Sequence, residues 1–397
     1  MALPDHDERF RRWRERRSAW LVAKAPWVHE FPYPDTDVST VAATYVRDEI
    51  IVSEAHQAAG LNIVSDLGHR RSAIETRDVA PGFRMLKTSG LDAWTATRRL
   101  RDNVGRTPGA VVSLNHVYMS SPFDQGGPHG EPSPGQPVDL HPPAATGVKV
   151  AVLDTGVWSD SPLPAGSYSA GPGDFETEID INADGLIDSD VGHANFIAGV
   201  VLNRTGNAQV RIVKLLTPLG LCTDVELANT LLTLDDVDVV NLSLGAFTVD
   251  DQPSPVVQMA LETVLAGKDR VVVAAAGNDG QTNRPFWPAA FSSAGQAWSD
   301  QVLAVAAHDG NGVCTWSNTG PWVTLAAPGQ DVSSTYIVHG PEFATGWATW
   351  SGTSFAAPYV AAAIAEQLAT AGSVTSAADQ VRKNASQQLF GTVPGLP

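Results

Sequence analysis

Residues 148–156 read VKVAVLDTG, a short and nearly continuous apolar run that ends on an aspartate, a threonine and a glycine. A strand that is apolar at almost every position is buried on both faces, as in a parallel sheet covered by helices. The same pattern returns downstream in VRIVKLL (210–216), VDVVNLSL (237–244), RVVVAAA (270–276) and QVLAVAA (301–307). Helical segments such as TDVELANTLLTL (223–234) and PVVQMALETVLAG (255–267) separate these runs. The alternation predicts an α/β fold over residues 147–390. Its form is a three-layer sandwich with a mainly parallel central sheet flanked by helices.

Upstream the chain changes character. Residues 8–17, ERFRRWRERR, form a basic segment within an N-terminal arm (1–40) that reads either as a docking helix or as a solvated terminus. TYVRDEIIVS (44–53), FRMLKTSG (83–90) and AVVSLNHVYM (110–119) read as strands, and TATRRLRDNVGRTPG (95–109) as a helix, which predicts a small α+β domain over 41–120. Residues 121–146 are dense in Pro, Gly and Ser and read as a linker.

The net charge of −17 is unevenly placed: 17 Lys/Arg face 15 Asp/Glu in residues 1–120, and 9 face 28 beyond. An acidic main domain argues against a nucleic-acid partner. Two cysteines, Cys222 and Cys314, allow one bridge or two free thiols and rule out a disulfide framework. No run approaches 18 apolar residues, so no membrane span is expected. The N-terminus lacks the architecture of a signal peptide, which predicts a cytoplasmic location unless export is signal-independent or the start lies elsewhere.

Sites in open α/β sheets form at the carboxyl ends of the strands. VAVLDTG puts Asp154 at such an end, and VVVAAAGNDG does the same for Asn278. GHANFIAG (192–199) opens a helix with His193, and SGTSFAAP (351–358) opens one with Ser354. A lone histidine before an apolar run is no evidence of chemistry, but these four segments in this order resemble those of the subtilases, the subtilisin-like serine proteases. The resemblance covers about residues 147–370 and includes VVNLSLG (239–245) and AAPG (326–329).

The resemblance implies a Ser354 nucleophile, a His193 general base, an Asp154 that orients the imidazole, and an Asn278 that donates to the oxyanion. It also implies a cleft in which Leu244 and Gly245 form one wall of the pocket for the residue before the scissile bond. Ala275, Ala276 and Gly277 form the other. Leu219, Gly220 and Leu221, with Cys222, are expected as an edge strand that pairs with an extended peptide. Pro358 is expected to be tolerated as part of the first helical turn. The family usually carries Gly-Thr-His after its histidine, whereas this chain has Ala194, Asn195 and Phe196.

DINADGLID (180–188) places Asp180, Asn182, Asp184 and Asp188 at positions 1, 3, 5 and 9 of an EF-hand-like calcium loop, although Val191 stands where the bidentate glutamate belongs. The choices are a structural calcium site or an acidic surface turn, and the chemistry itself needs no cofactor. Residues 40–120 loosely resemble the subtilase propeptide, whose tail near Val117 to Ser121 would lie in the cleft. The expected function is a serine endopeptidase acting through an acyl-enzyme on peptide or protein substrates, with selective processing as its role. The alternative is a catalytically silent binding module of the same fold.

Overall fold

In the computed structural model, residues 25–32, 41–104, 111–120, 131–181, 187–386, 389–390 and 393–397 are described. The basic segment 8–17 and residues 121–130 of the linker lie outside them.

The N-terminal part builds an antiparallel sheet from β1 (Val28–Pro32), β2 (Val41–Ser53), β3 (Glu75–Ala80), β4 (Phe83–Lys87) and β5 (Val112–Ser120). Its order is β5-β2-β4-β3, with β1 also on β2. Helices α1 (Gln57–Asp66) and α2 (Ala93–Val104) cover one face. Period-2 alternation along β2 divides its side chains between two cores. Ile50 and Val52 pack with Leu86, Leu100 and Leu114 under the helices, whereas Ile51 faces the main domain with Met85 and Tyr118. Strand β3 escapes the sequence reading because it is an edge strand, polar and largely exposed.

The rest of the chain adds β6 (Ser133–Pro134), β7 (Val148–Asp154), β8 (Tyr168–Ser169) and helix α3 (His193–Arg204). Then come β9 (Ala208–Lys214), β10 (Leu221–Thr223), α4 (Asp224–Leu232), β11 (Val239–Leu242), β12 (Leu244–Gly245) and α5 (Pro255–Leu265). Strands β13 (Val271–Ala275), β14 (Val302–His308), β15 (Leu325–Pro328), β16 (Val332–Thr335) and β17 (Trp347–Trp350) follow. The chain closes with α6 (Thr353–Ala371), α7 (Val374–Ala385) and the short pair β18 (Leu389–Phe390) and β19 (Val393–Pro394).

The central sheet has seven strands, in the order β15-β14-β13-β11-β7-β9-β8, and every pairing in it is parallel. Alternate residues again serve opposite layers. Val150, Val152, Val273 and Val305 join the core under α3 and α6, while Ala151, Leu153, Val272 and Ala304 join the one under α4 and α5. This double burial is why the strands read as continuous apolar runs. The three-layer α/β architecture therefore stands as read.

Linker residues 131–146 are bound to this body, contrary to their composition. Ser133–Pro134 pairs antiparallel with β17, and Gly135 N donates to Trp347 O at 2.9 Å. A Cβ on Gly135 would sit 2.4 Å from the Ala348 carbonyl carbon, so the chain can lie this close only as glycine.

Candidate active site

Asp154 is the last residue of β7, and His193 is the first of α3. Gly192 caps that helix at φ +83°, and a Cβ there would meet the Tyr336 ring at 2.6 Å. The glycine thus lets the chain turn sharply and deliver His193 beneath the strand end. His193 Nδ1 lies 2.7 Å from Asp154 Oδ1, with both side chains fully buried. A carboxylate only accepts, so Nδ1 carries the proton and Nε2 keeps its lone pair. That Nε2 has no hydrogen-bond partner. Asp154 Oδ1 also accepts from Thr155 N at 2.8 Å, which fixes the carboxylate.

Burial pulls the His193 pKa down. The charge and hydrogen bond of Asp154, with the charge of Asp190, outweigh it and hold the imidazole above its ordinary value.

Ser354 is the second residue of α6, where a helix leaves its N–H groups unpaired. Its Oγ donates to Ser243 O at 3.4 Å. Asn278 follows β13 across a left-handed Gly277 at φ +94°. Its Oδ1 accepts from Thr353 N at 2.8 Å and Thr353 Oγ1 at 2.9 Å, which leaves Nδ2 buried with no acceptor. Asp154 and His193 thus form one hydrogen-bonded pair, and Asn278 is tied to Thr353, the residue before Ser354 at the start of α6.

The Pro358 expectation needs correcting. Pro358 is the sixth residue of α6 and lies in the second turn, where its missing N–H deprives the Ser354 carbonyl of a helical donor. Ser243 Oγ replaces it at 2.7 Å and is itself held by Asn241 Nδ2 at 2.9 Å. Sequence reasoning did not find Ser243, Asn241 or Thr353 as supports. The VVNLSLG segment was the available signal.

The three unusual residues after His193 each find a partner. Ala194 N donates to Thr155 Oγ1 at 3.2 Å. Asn195 clamps the loop after β7, accepting from Trp158 N at 2.8 Å and donating to Trp158 O at 2.9 Å. Phe196 joins an aromatic cluster behind the imidazole, with ring centroids 4.4 Å from Phe355 and 5.8 Å from Trp350. His193 itself contacts both of those rings, at 5.4 and 5.6 Å.

Of the segment expected as an edge strand, Leu221 and Cys222 fall in β10, Leu221–Thr223. Leu219 and Gly220 form the turn before it, with Gly220 at φ +71°. β10 and β12 do not stand open. β5 runs antiparallel between them, with Cys222 opposite Tyr118, Gly245 opposite Met119 and Leu244 opposite Ser120. A buried polar set seals the contact: Asp224 Oδ2 accepts from His116 N at 2.7 Å and lies 3.0 Å from His116 Nδ1. Both cysteines are free and buried. Burial, with the nearby Glu226 and Asp224 charges, holds the Cys222 thiol well above its usual range, and burial pushes Cys314 up to about 12.

Of the candidate calcium ligands, Asn182 and Asp184 lie outside the described residues. Asp188 Oδ2 accepts from Ile181 N at 2.7 Å, closing the turn. Among the described residues no group of three or more His, Cys, Asp or Glu is arranged to hold a metal ion, and no helix is long and apolar enough to cross a membrane.

A family model described as the subtilase family matches residues 145–388. Thermitase of Thermoactinomyces vulgaris is 32% identical over 260 residues, covering 62% of this chain and 84% of thermitase. The minor extracellular protease Epr of Bacillus subtilis (strain 168) is 31% identical over 255 residues, covering 60% of this chain and 35% of that protein. A solved structure, of a cold adapted subtilisin-like serine proteinase, aligns at a TM-score of 0.49 and 22% identity, over 66% of this chain and 91% of that one.

Proposed function

The chain belongs to the subtilase family and is a serine endopeptidase, and we propose that it cuts peptide bonds with Ser354, His193, Asp154 and Asn278. Ser354 Oγ attacks the scissile carbonyl carbon while its proton passes to His193 Nε2. The resulting oxyanion accepts from Asn278 Nδ2 and the Ser354 N–H. Collapse breaks the C–N bond, and His193 gives its proton to the leaving amine, leaving an acyl-enzyme. Water, deprotonated by His193, then releases the acid. Asp154 stabilises the imidazolium in both halves.

The observation that carries this reading is the buried 2.7 Å contact between His193 and Asp154, with Nε2 left free. Asn278 supports it, since its oxygen is tied to Thr353 and its amide is unused.

The antiparallel lodging of β5 between β10 and β12 supports a second element. Residues 41–120 act as a propeptide-like inhibitor whose tail occupies the substrate groove until it is cut or released. An enzyme restrained in this way suits selective processing better than bulk degradation.

A fluorophosphonate probe tests the site. Protein freed of its N-terminal region should carry one adduct, on Ser354, and S354A or H193A should carry none. No adduct on the freed wild type would favour the silent binding module instead.

A further inference from the structure

The two predicted walls of the pocket before the scissile bond are not separated by open space. Building a Cβ on Gly245 brings it 2.0 Å from Phe286 Cε1, and building one on Gly277 brings it 3.0 Å from the same atom. One phenyl ring therefore touches the backbone of both walls, and Phe286 is only 6% exposed.

The ring is held there from several sides. Trp287, its neighbour in sequence, forms a two-way backbone bridge with Ala246 at 2.8 and 2.9 Å. Phe247 meets the ring edge-on, with centroids 5.0 Å apart. The Arg284 guanidinium lies 4.1 Å from the Phe247 centroid and donates to Asp251 Oδ1 at 2.9 Å. Moving Phe286 aside would break this stack or the backbone bridge.

Resting on the reading of Ser354 as nucleophile, we propose that Phe286 fills this pocket from within and restricts the enzyme to substrates with a small residue, Gly, Ala or Ser, immediately before the scissile bond. A phenyl or isobutyl side chain would compete with the Phe286 ring for the same space, and overpacked sites reject extra carbons.

The test uses the full-length protein after its own processing has run to completion, with active sites counted by fluorophosphonate labelling. Peptides differing only in the residue before the scissile bond are then compared by kcat/KM per labelled site. Ala or Ser should exceed Phe and Leu by about 100-fold or more, a ratio reachable by steric exclusion. F286G should raise the Phe-to-Ala ratio by at least about 100-fold. If the wild type cuts after Phe or Leu as readily as after Ala, the proposal is overturned, even should F286G fail to fold. An unchanged ratio in folded F286G overturns it equally. Absence of labelling on Ser354 instead removes the catalytic reading on which the pocket depends, so the two failures are distinguishable.

Discussion

The hydroxyl of Ser243 donates to the carbonyl of Ser354 at 2.7 Å, the acceptor that Pro358 leaves without a helical donor. One proline thus exports a hydrogen bond from α6 to Ser243, the residue between β11 and β12. Ser243→Ala leaves a buried carbonyl unpaired and should cost about 1–3 kcal/mol of stability. P358A returns an N–H to that position, so it should stabilise the S243A protein more than it stabilises the wild type. Urea unfolding of the four proteins in this cycle measures the coupling. Equal effects of P358A in both backgrounds would show that the two residues do not share the carbonyl.

The pH dependence follows from His193. In the proposed mechanism catalysis needs its neutral form, and the Asp154 and Asp190 charges favour the protonated one strongly enough to overcome burial. Activity should therefore fall as pH drops through a value above the ordinary 6.5. Asp190→Asn removes a charge that favours the imidazolium, so the acid limb of kcat/KM should move to lower pH while the plateau keeps its height. An acid limb that stays in place in D190N would exclude Asp190 from setting it.

Asn278 and Thr353 should separate binding from turnover. Asn278→Ala removes a donor used only when the oxyanion forms, so kcat should fall about 100- to 1000-fold with little change in KM, the range measured for this donor in a subtilisin. Thr353→Ala keeps the backbone donor to Asn278 but removes the hydroxyl, and a loss of about tenfold in kcat, or about 1.4 kcal/mol, is expected. A T353A effect confined to KM would contradict the positioning role.

Phe196 gives the next prediction. Its ring fills a site lined by Phe355 and Trp350 directly behind His193. Phe196→His, which restores the residue type expected from the family pattern, places ring nitrogens among aromatic carbons. It should lower stability by about 1–3 kcal/mol. A thermal melt of F196H matching that of the wild type would mean that the site already accommodates a polar ring.

The sheet was legible because double burial leaves few polar residues, such as Lys149 and Asn241, within β7, β11, β13 and β14, and each of these strands was located within about two residues. Asp154, His193, Asn278 and Ser354 stood out in the sequence because each lies at or just beyond a strand end or at a helix start, and the structure joins Asp154 to His193 and Asn278 to the start of α6. Residues acting through a partner distant in sequence were not legible. Ser243 reaches Ser354 across 111 positions, and Asn278 is oriented by Thr353 75 positions away. Phe286 lies in a loop whose composition says nothing of the pocket that its ring enters. The docking of the linker on β17 was hidden because Pro and Gly there signal a missing core, not a missing attachment.

The last prediction concerns the hold of β5 on the cleft. Asp224 is fully buried at the start of α4 and receives His116 through both backbone and ring nitrogens. His116→Ala keeps the backbone donor but removes the ring, leaving a buried carboxylate with less compensation. The penalty falls on the docked state alone, since solvent can reach Asp224 once β5 departs. H116A should therefore loosen the N-terminal region by about tenfold or more, and fluorophosphonate labelling of Ser354 in the full-length protein should accelerate to match. S354A carrying H116A should meanwhile show greater protease sensitivity across residues 41–120 than S354A alone. Unchanged labelling and protection would mean that the strand pairing with β10 and β12, together with the apolar face around Ile51 and Tyr118, suffices to keep the groove closed.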